Sequence, residues 1–405
     1  MEVQTYDPKD PNIRAYKVRE QLIQTMKTRF SLYGYHQIRT STFEPYELYF
    51  NTAGTIHTDE MVKLIDRNGK VLVLRPDVTI PATRSVAAQN IDPTNHLRYF
   101  YVSDVYRQSF DGNGSKEKTQ AGIECFGEKS AEIDAEAIAL AIQTLKDLDV
   151  PNFKIEIGHA DFFKQAASEL EVTNEELEQL KRFIQAKNMT EIGPFLERHN
   201  VKQEVADAVR SIPLLYGKPN TVLAKAKQIA LNETMQQALQ NLEDVYEVLE
   251  AYGVAEHIVL DFGLINHMDY YSDIIFQGFI DNVAKPVLMG GRYDHLSEQF
   301  AAQIPAIGFA FEVEALLEGT SDYAFEEPAS VDMTVIYEKT KQKEALAIAA
   351  ELREAGLRTI AVPAADQVKA NSASIIQITE SEQILISGND VQKFTALRDL
   401  KAEIL

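Results

Sequence analysis

The segment Leu97-Arg-Tyr-Phe-Tyr-Val-Ser-Asp-Val-Tyr-Arg107, a Gly-containing polar break, and then Gln120-Ala-Gly-Ile-Glu-Cys-Phe-Gly127 restrict the fold more than any other part of the chain. Aromatic and β-branched residues dominate both halves, so two strands joined by a long polar turn are predicted, with Arg107 closing the first. Residues two apart in a strand share a face, which puts Gln120, Gly122 and Glu124 together. Two polar groups flanking a glycine suit a small charged ligand lying against the strand, because glycine permits close approach.

Whether such a site does chemistry or only binds depends on the rest of the chain. Its 405 residues are 45% hydrophobic and 25% charged, ordinary for a soluble protein of two or three domains. No apolar run approaches the roughly 20 residues that span a bilayer, and the first ten residues lack the basic start and apolar core of a signal peptide. The single Cys125 excludes an internal disulfide, CxxC redox chemistry and a Cys-based zinc cluster, so a reducing cytoplasm is the expected home. The net charge of −21, with no basic cluster of five or more, weighs against nucleic acid as the main partner. The eight histidines show no metal-ligand spacing. No GxGxxG or GxxxxGK[ST] stretch and no Ser-His-Asp signature is present. Neither a cofactor nor a metal is expected.

Pro11–Tyr33 reads as an amphipathic helix, with Val18, Leu22, Met26 and Phe30 on one stripe and Gly34 as its stop. A second helix is expected near Ile133–Leu148. Strands are expected at Lys70–Leu74, Arg98–Tyr106, Gln120–Phe126, Phe153–Ile157, Ile258–Phe262, Ile274–Ile280 and Pro286–Met289, then a short helix around Phe311–Leu317. Asp161–Tyr252 is charged and helical in pattern, an insertion or lid. After an acidic linker at Asp322–Ala329 come strand Val331–Ile336, helix Gln342–Ala355 and strand Thr359–Val362, which open a small α/β domain. Two further strands, Ser374–Thr379 and Gln383–Ser387, and a helix, Val391–Leu400, complete it. Strands and helices do not alternate through the first 160 residues, so an α+β core with a mostly antiparallel sheet is favoured over a doubly wound one.

Further motifs bear on the ligand. Leu74-Arg-Pro-Asp-Val-Thr79 sets Asp77 and Thr79 two residues apart, able to accept hydrogen bonds from one ammonium, or simply to form a Pro-Asp turn. Met268-Asp-Tyr-Tyr271 offers two phenols that would equally serve as core residues. Gly290-Gly-Arg-Tyr-Asp294 alone is a weak signal. In this order and spacing, with Lys118-Thr-Gln-Ala-Gly-Ile-Glu-Cys-Phe-Gly127 and Ile304-Pro-Ala-Ile-Gly-Phe-Ala-Phe-Glu-Val-Glu-Ala-Leu-Leu317, they resemble the core of the histidyl-tRNA synthetases from about Pro11 to Leu317. The resemblance implies a class II synthetase-like core over residues 1–321 with a helical insertion at about 161–252. A linker at 322–330 and a small domain over 331–405 follow. It also implies a histidine pocket. Asp77 and Thr79 match contacts to the ligand's amino group, and Gln120 matches a contact near its amino and carboxylate groups. Glu124, Tyr270 and Tyr271 match the wall that reads the imidazole, and Arg107 matches the arginine near the carboxylate and α-phosphate.

The departures from that pattern remove catalysis. Where the synthetases carry an arginine three residues ahead of the Asp-Tyr-Tyr element, this chain has Asn266. Where the third motif should read Gly-Leu-Glu-Arg, it has Glu312-Val-Glu-Ala315. Two cationic clamps for phosphates are thereby missing, and such clamps are worth several kcal/mol of barrier. The turn Ser109–Thr119 and the short acidic tail differ as well. A histidine pocket without the ATP machinery resembles the synthetase-like regulatory subunits of ATP phosphoribosyltransferase. That resemblance implies no catalytic residue in this chain, a dimer of it, and a short-form catalytic subunit as partner in a hetero-octamer. It also implies activation of that partner, inhibition by histidine, and no membrane. Magnesium, ATP and phosphoribosyl pyrophosphate would belong to the partner. The alternatives are a divergent histidyl-tRNA synthetase and a free-standing histidine-binding paralogue.

Overall fold

The computed structural model describes residues 13–50, 56–89, 96–108, 116–265, 270–320, 331–364, 372–388 and 390–395. The chain divides into two compact units, Met1–Tyr323 and Ala324–Leu405. Among the described residues of the first, nine strands form one sheet: β1 (His36–Gln37), β2 (Leu97–Tyr106), β3 (Glu117–Phe126), β4 (Phe153–His159), β5 (Tyr216–Gly217), β6 (Ile258–Asp261), β7 (Ile274–Ile280), β8 (Leu288–Arg292) and β9 (Ala306–Glu312). Their spatial order is β1-β2-β3-β9-β8-β7-β4-β6-β5. Only β1 with β2 and β4 with β6 run parallel; the other neighbours are antiparallel.

One face of the sheet is sealed by helices. In α1 (Ile13–Leu32), Leu22, Met26 and Phe30 are fully buried, and Gly34 turns the chain away with φ +80°. In α3 (Ala131–Asp147), Ser130 caps the first turn by accepting from the Ile133 N–H, and Ala135, Ala137, Ile138, Ala139, Ala141 and Ile142 are buried. So many small buried residues let α3 lie close to the strands, and Arg29 forks onto Asp147 to tie α1 beside it. The helices between Ala160 and Ala251 join the same apolar core through Leu180, Phe195, Val209, Leu239 and Leu242. Against the opposite side lie α2 (Thr79–Ala88) and a three-stranded sheet of Phe43–Pro45, Lys63–Ile65 and Val71–Leu74. No helix among the described residues is long and apolar enough to cross a membrane.

Some expected elements are absent or displaced. Strand β9, central to the sheet, was not expected: Ala306-Ile-Gly-Phe-Ala-Phe311 has no clear alternation and carries Gly and Ala, because this strand is buried on both sides. The helix expected from Phe311 begins only at Val313, as α4 (Val313–Thr320), since Phe311 and Glu312 belong to β9. Thr79 opens a helix where a turn was one reading; Pro81 sits in its first turn, where its missing N–H costs nothing.

The second unit is a five-stranded sheet, Thr359–Pro363, Val331–Tyr337, Ser372–Ile378, Gln383–Ser387 and Asp390–Phe394 in spatial order, packed on the helix Gln342–Glu354. Helix Val391–Leu400 is corrected over its first part: Asp390–Phe394 is a strand, since Gly388 at φ +59° turns the chain back and Gln383–Ser387 offers a ladder that local propensity cannot match. Leu397–Leu400, like linker residues Asp322–Ala329, lies outside the described residues.

Candidate functional site

Strand β3 sends its residues alternately to two environments. Ala121, Ile123 and Cys125 enter the core beneath α1 and α3, while Gln120 and Glu124 line a cavity on the other face and Tyr101 covers Gly122 between them. Strand β9 runs beside it with Gly308 opposite Glu124, Ala310 opposite Gly122 and Glu312 opposite Gln120. The centre of this floor has no room for bulk. A β-carbon on Gly122 would stand 2.7 Å from the Tyr101 hydroxyl and collide with the Phe309 carbonyl, and one on Gly308 would strike Glu124 Oε2. The cavity above the floor has a volume of about 90 Å³, below the roughly 300–1,000 Å³ of drug-sized ligand sites.

Asp77, Thr79, Arg107, Gln120, Glu124, Tyr270 and Tyr271 all line it. Glu124 is 1% exposed and held at both oxygens: Thr79 Oγ1 donates to Oε1 at 2.7 Å and the Tyr293 hydroxyl donates to Oε2. Burial pushes its carboxyl up to about 8, against the two hydrogen bonds. Asp77 is also buried and is raised to about 6 by burial. Its Oδ1 accepts the Ile80 N–H at 2.8 Å at the start of α2, and its Oδ2 has no partner among the described residues. The helix start favours a negative charge there. Arg107 follows β2 and donates from Nε to the Pro76 carbonyl at 2.8 Å, which ties it to the Asp77 segment. Gln120 Nε2 donates to Glu312 Oε1 at 2.7 Å. The Tyr270 and Tyr271 rings lie 4.7 Å apart between centroids, and burial raises both phenols above their ordinary range, so they remain donors.

The cavity also contains residues that sequence reasoning missed: Tyr101, Met289, Tyr293 and Glu312. Tyr293 belongs to Gly290-Gly-Arg-Tyr-Asp294, whose parts now separate by role. A β-carbon on Gly291 would stand 2.7 Å from the Tyr271 ring. Arg292 is structural: 1% exposed, it donates to Asp134 at 2.9 Å, to Asp294 at 3.0 Å and to the Glu128 carbonyl at 3.0 Å, clasping β8 to the start of α3. Removing one partner of such a buried pair costs about 3–5 kcal/mol.

Of the two substituted arginine positions, Asn266 lies outside the described residues, as do residues 109–115 of the polar turn. Ala315 is on α4, 1% exposed, and packs into the main apolar core. Among the described residues no group of three or more His, Cys, Asp or Glu is placed to hold a metal ion. Among the described residues, the cavity sets three carboxyl groups, Asp77, Glu124 and Glu312, against one guanidinium, that of Arg107. That balance suits a ligand with two positive or proton-donating ends and one carboxylate.

The profile of the histidyl-tRNA synthetase family matches residues 9–316. The ATP phosphoribosyltransferase regulatory subunit of Oceanobacillus iheyensis is 43% identical over 374 residues, which cover 92% of this chain and 91% of that protein. The chain belongs to the family of ATP phosphoribosyltransferase regulatory subunits. Another member, from Ruminiclostridium cellulolyticum, is 35% identical over 92% of this chain and 90% of its own length. A crystal structure from Bacillus halodurans, described as an ATP phosphoribosyltransferase regulatory subunit/histidyl-tRNA synthetase, matches with a TM-score of 0.80 at 28% identity, over 94% of this chain and 99% of that one. A histidyl-tRNA synthetase from Nostoc sp., 17% identical with a TM-score of 0.79, shares the fold. Membership of the family and the histidyl-tRNA synthetase-like α+β fold are as the sequence motifs implied.

Proposed function

We propose that this chain binds free histidine in the cavity between α2 and the β3–β9 floor and makes no aminoacyl-adenylate. Through that pocket it would regulate a short-form ATP phosphoribosyltransferase catalytic subunit in the first step of histidine biosynthesis. The observation that carries the reading is that all seven residues matched to a histidine pocket line one cavity, the buried carboxyl of Glu124 among them. The ligand's imidazole would take the proton of Glu124 or share it, replacing a neutral buried acid with a charged pair hydrogen-bonded by Thr79 and Tyr293. Asp77 Oδ2 would receive the ammonium, and Arg107 the carboxylate. An amino acid without a ring donor would leave Glu124 facing no partner, at a cost of about 1–3 kcal/mol.

The loss of adenylate chemistry rests on Asn266, on Ala315 and on the acidic outer end of the cavity, where Glu312 would repel phosphates. In the assembly, a dimer of this chain would join catalytic subunits in a hetero-octamer, and histidine would inhibit the catalytic partner through this pocket. The deciding experiment mixes the purified chain with short-form catalytic subunits and follows phosphoribosyl-ATP formation. Activity should require this chain and fall on adding histidine. Histidine-dependent ATP–pyrophosphate exchange by this chain alone would instead make it a synthetase.

A further inference from the structure

The outer end of the cavity holds a hydrogen bond whose direction has a consequence. Gln120 donates from Nε2 to Glu312 Oε1 at 2.7 Å. A side-chain carboxylate only accepts, so Glu312 can hold the Gln120 amide only by its NH2 end. The carbonyl Oε1 is then the end left for a ligand, and no described residue donates to it. Lys118 Nζ, 3.7 Å from Glu312 Oε2, holds the other carboxylate oxygen on the solvent side. The β-ladder fixes the pair further, since Glu312 and Gln120 are direct cross-strand neighbours. A second open acceptor lies in the same cavity: Asp77 Oδ2, on a side chain 9% exposed.

We propose that Glu312 is a positioning residue that sets the pocket's selectivity for a ligand bearing a free ammonium. It does so by locking Gln120 with its acceptor toward the ligand. Without Glu312 the amide is free to rotate by half a turn and offer its NH2 group, which favours an anionic group in place of an ammonium. This inference rests on the amino-acid reading of the cavity and adds to it the residue that reads the amino end. Nothing in the local sequence announces the role, because Gln120 and Glu312 are 192 residues apart.

The test is calorimetry on the full-length chain with three probes: L-histidine, imidazolepropionate, which lacks the amino group, and histidinol, which lacks the carboxylate. Glu312→Ala should weaken histidine about tenfold, the size of one charge-assisted contact, while leaving imidazolepropionate unchanged or improved. Glu312→Gln keeps the shape but can donate to Gln120 Oε1. It should therefore also narrow the histidine-to-imidazolepropionate preference, which a merely space-filling role would not. An equal loss for both ligands, no change in their ratio, or an effect confined to the histidine-to-histidinol comparison overturns the proposal while leaving a histidine pocket in place. Absence of histidine binding by the unmodified chain overturns this proposal and the histidine reading together.

Discussion

The two ends of the cavity are built on opposite principles. At the inner end Glu124 is dry, both its oxygens are held, and Gly308 and Gly122 leave no slack beneath it. At the outer end Gln120 and Glu312 meet Lys118, which is 50% exposed. A buried, preorganised group discriminates steeply because failing to pair it is expensive, whereas a solvated one is screened and easily compensated. The costly recognition is thus at the Glu124 end, where the proposed ligand's ring would sit, and the other end carries a half-exposed acid–lysine pair.

The sharpest way to break this contrast is Glu124→Ala. It should reduce histidine affinity by about a hundredfold or more, since the ring loses its charged acceptor, without changing assembly with the catalytic partner. An unchanged calorimetric affinity would place the ligand elsewhere.

Next in size is a pH effect on the unliganded chain. Burial raises Glu124 from an ordinary 4.5 to about 8 and Asp77 from 3.8 to about 6. Both acids hold their protons more tightly folded than unfolded. Their stabilising contribution is thus complete below the unfolded values and is lost as pH rises through the folded ones. The free energy of unfolding should fall as pH rises from about 3.8 to about 8, by an order of a few kcal/mol in total. Glu124→Gln should flatten the part of that slope above pH 6, and an identical slope in the variant would show that other groups produce it.

Gly308→Ala sharpens the comparison from the backbone side. Its methyl group must displace Glu124 Oε2 and would stand 2.5 Å from the Ile123 carbonyl oxygen, so histidine binding should weaken at least about tenfold, with a stability loss of about 1–3 kcal/mol. Retention of full affinity would mean that the inner end is looser than its packing indicates. The smallest effect belongs to Lys118→Ala at the rim. The half-exposed pair with Glu312 is worth about 0–1 kcal/mol, so histidine affinity should change by less than about fivefold. A larger change would make the outer end as critical as the inner.

Much of this was legible before any coordinates. The period-two spacing of Gln120, Gly122 and Glu124 defines their shared face locally, and the motif order led from those residues to the synthetase-like core. The missed strand β9 and missed helix α2 show the limit. Both owe their form to neighbours: β9 to strands on either side, and α2 to Asp77 accepting the Ile80 N–H while the helix closes over the floor. Likewise Val391 looks helical alone and becomes a strand residue only beside Ile386.

By itself, the sequence determined which side chains share a strand face, that the chain is acidic with one cysteine, and that asparagine stands at 266 and alanine at 315. These are properties of spacing and identity. Only the tertiary structure decided that Tyr293 and Thr79 converge on one carboxyl from positions 169 and 45 residues away, and that Glu312 turns the Gln120 amide. It also decided that Glu124 holds its proton toward pH 8. The reason is that proton affinity and hydrogen-bond direction depend on desolvation and on partners brought from distant parts of the chain, and neither is encoded in local spacing.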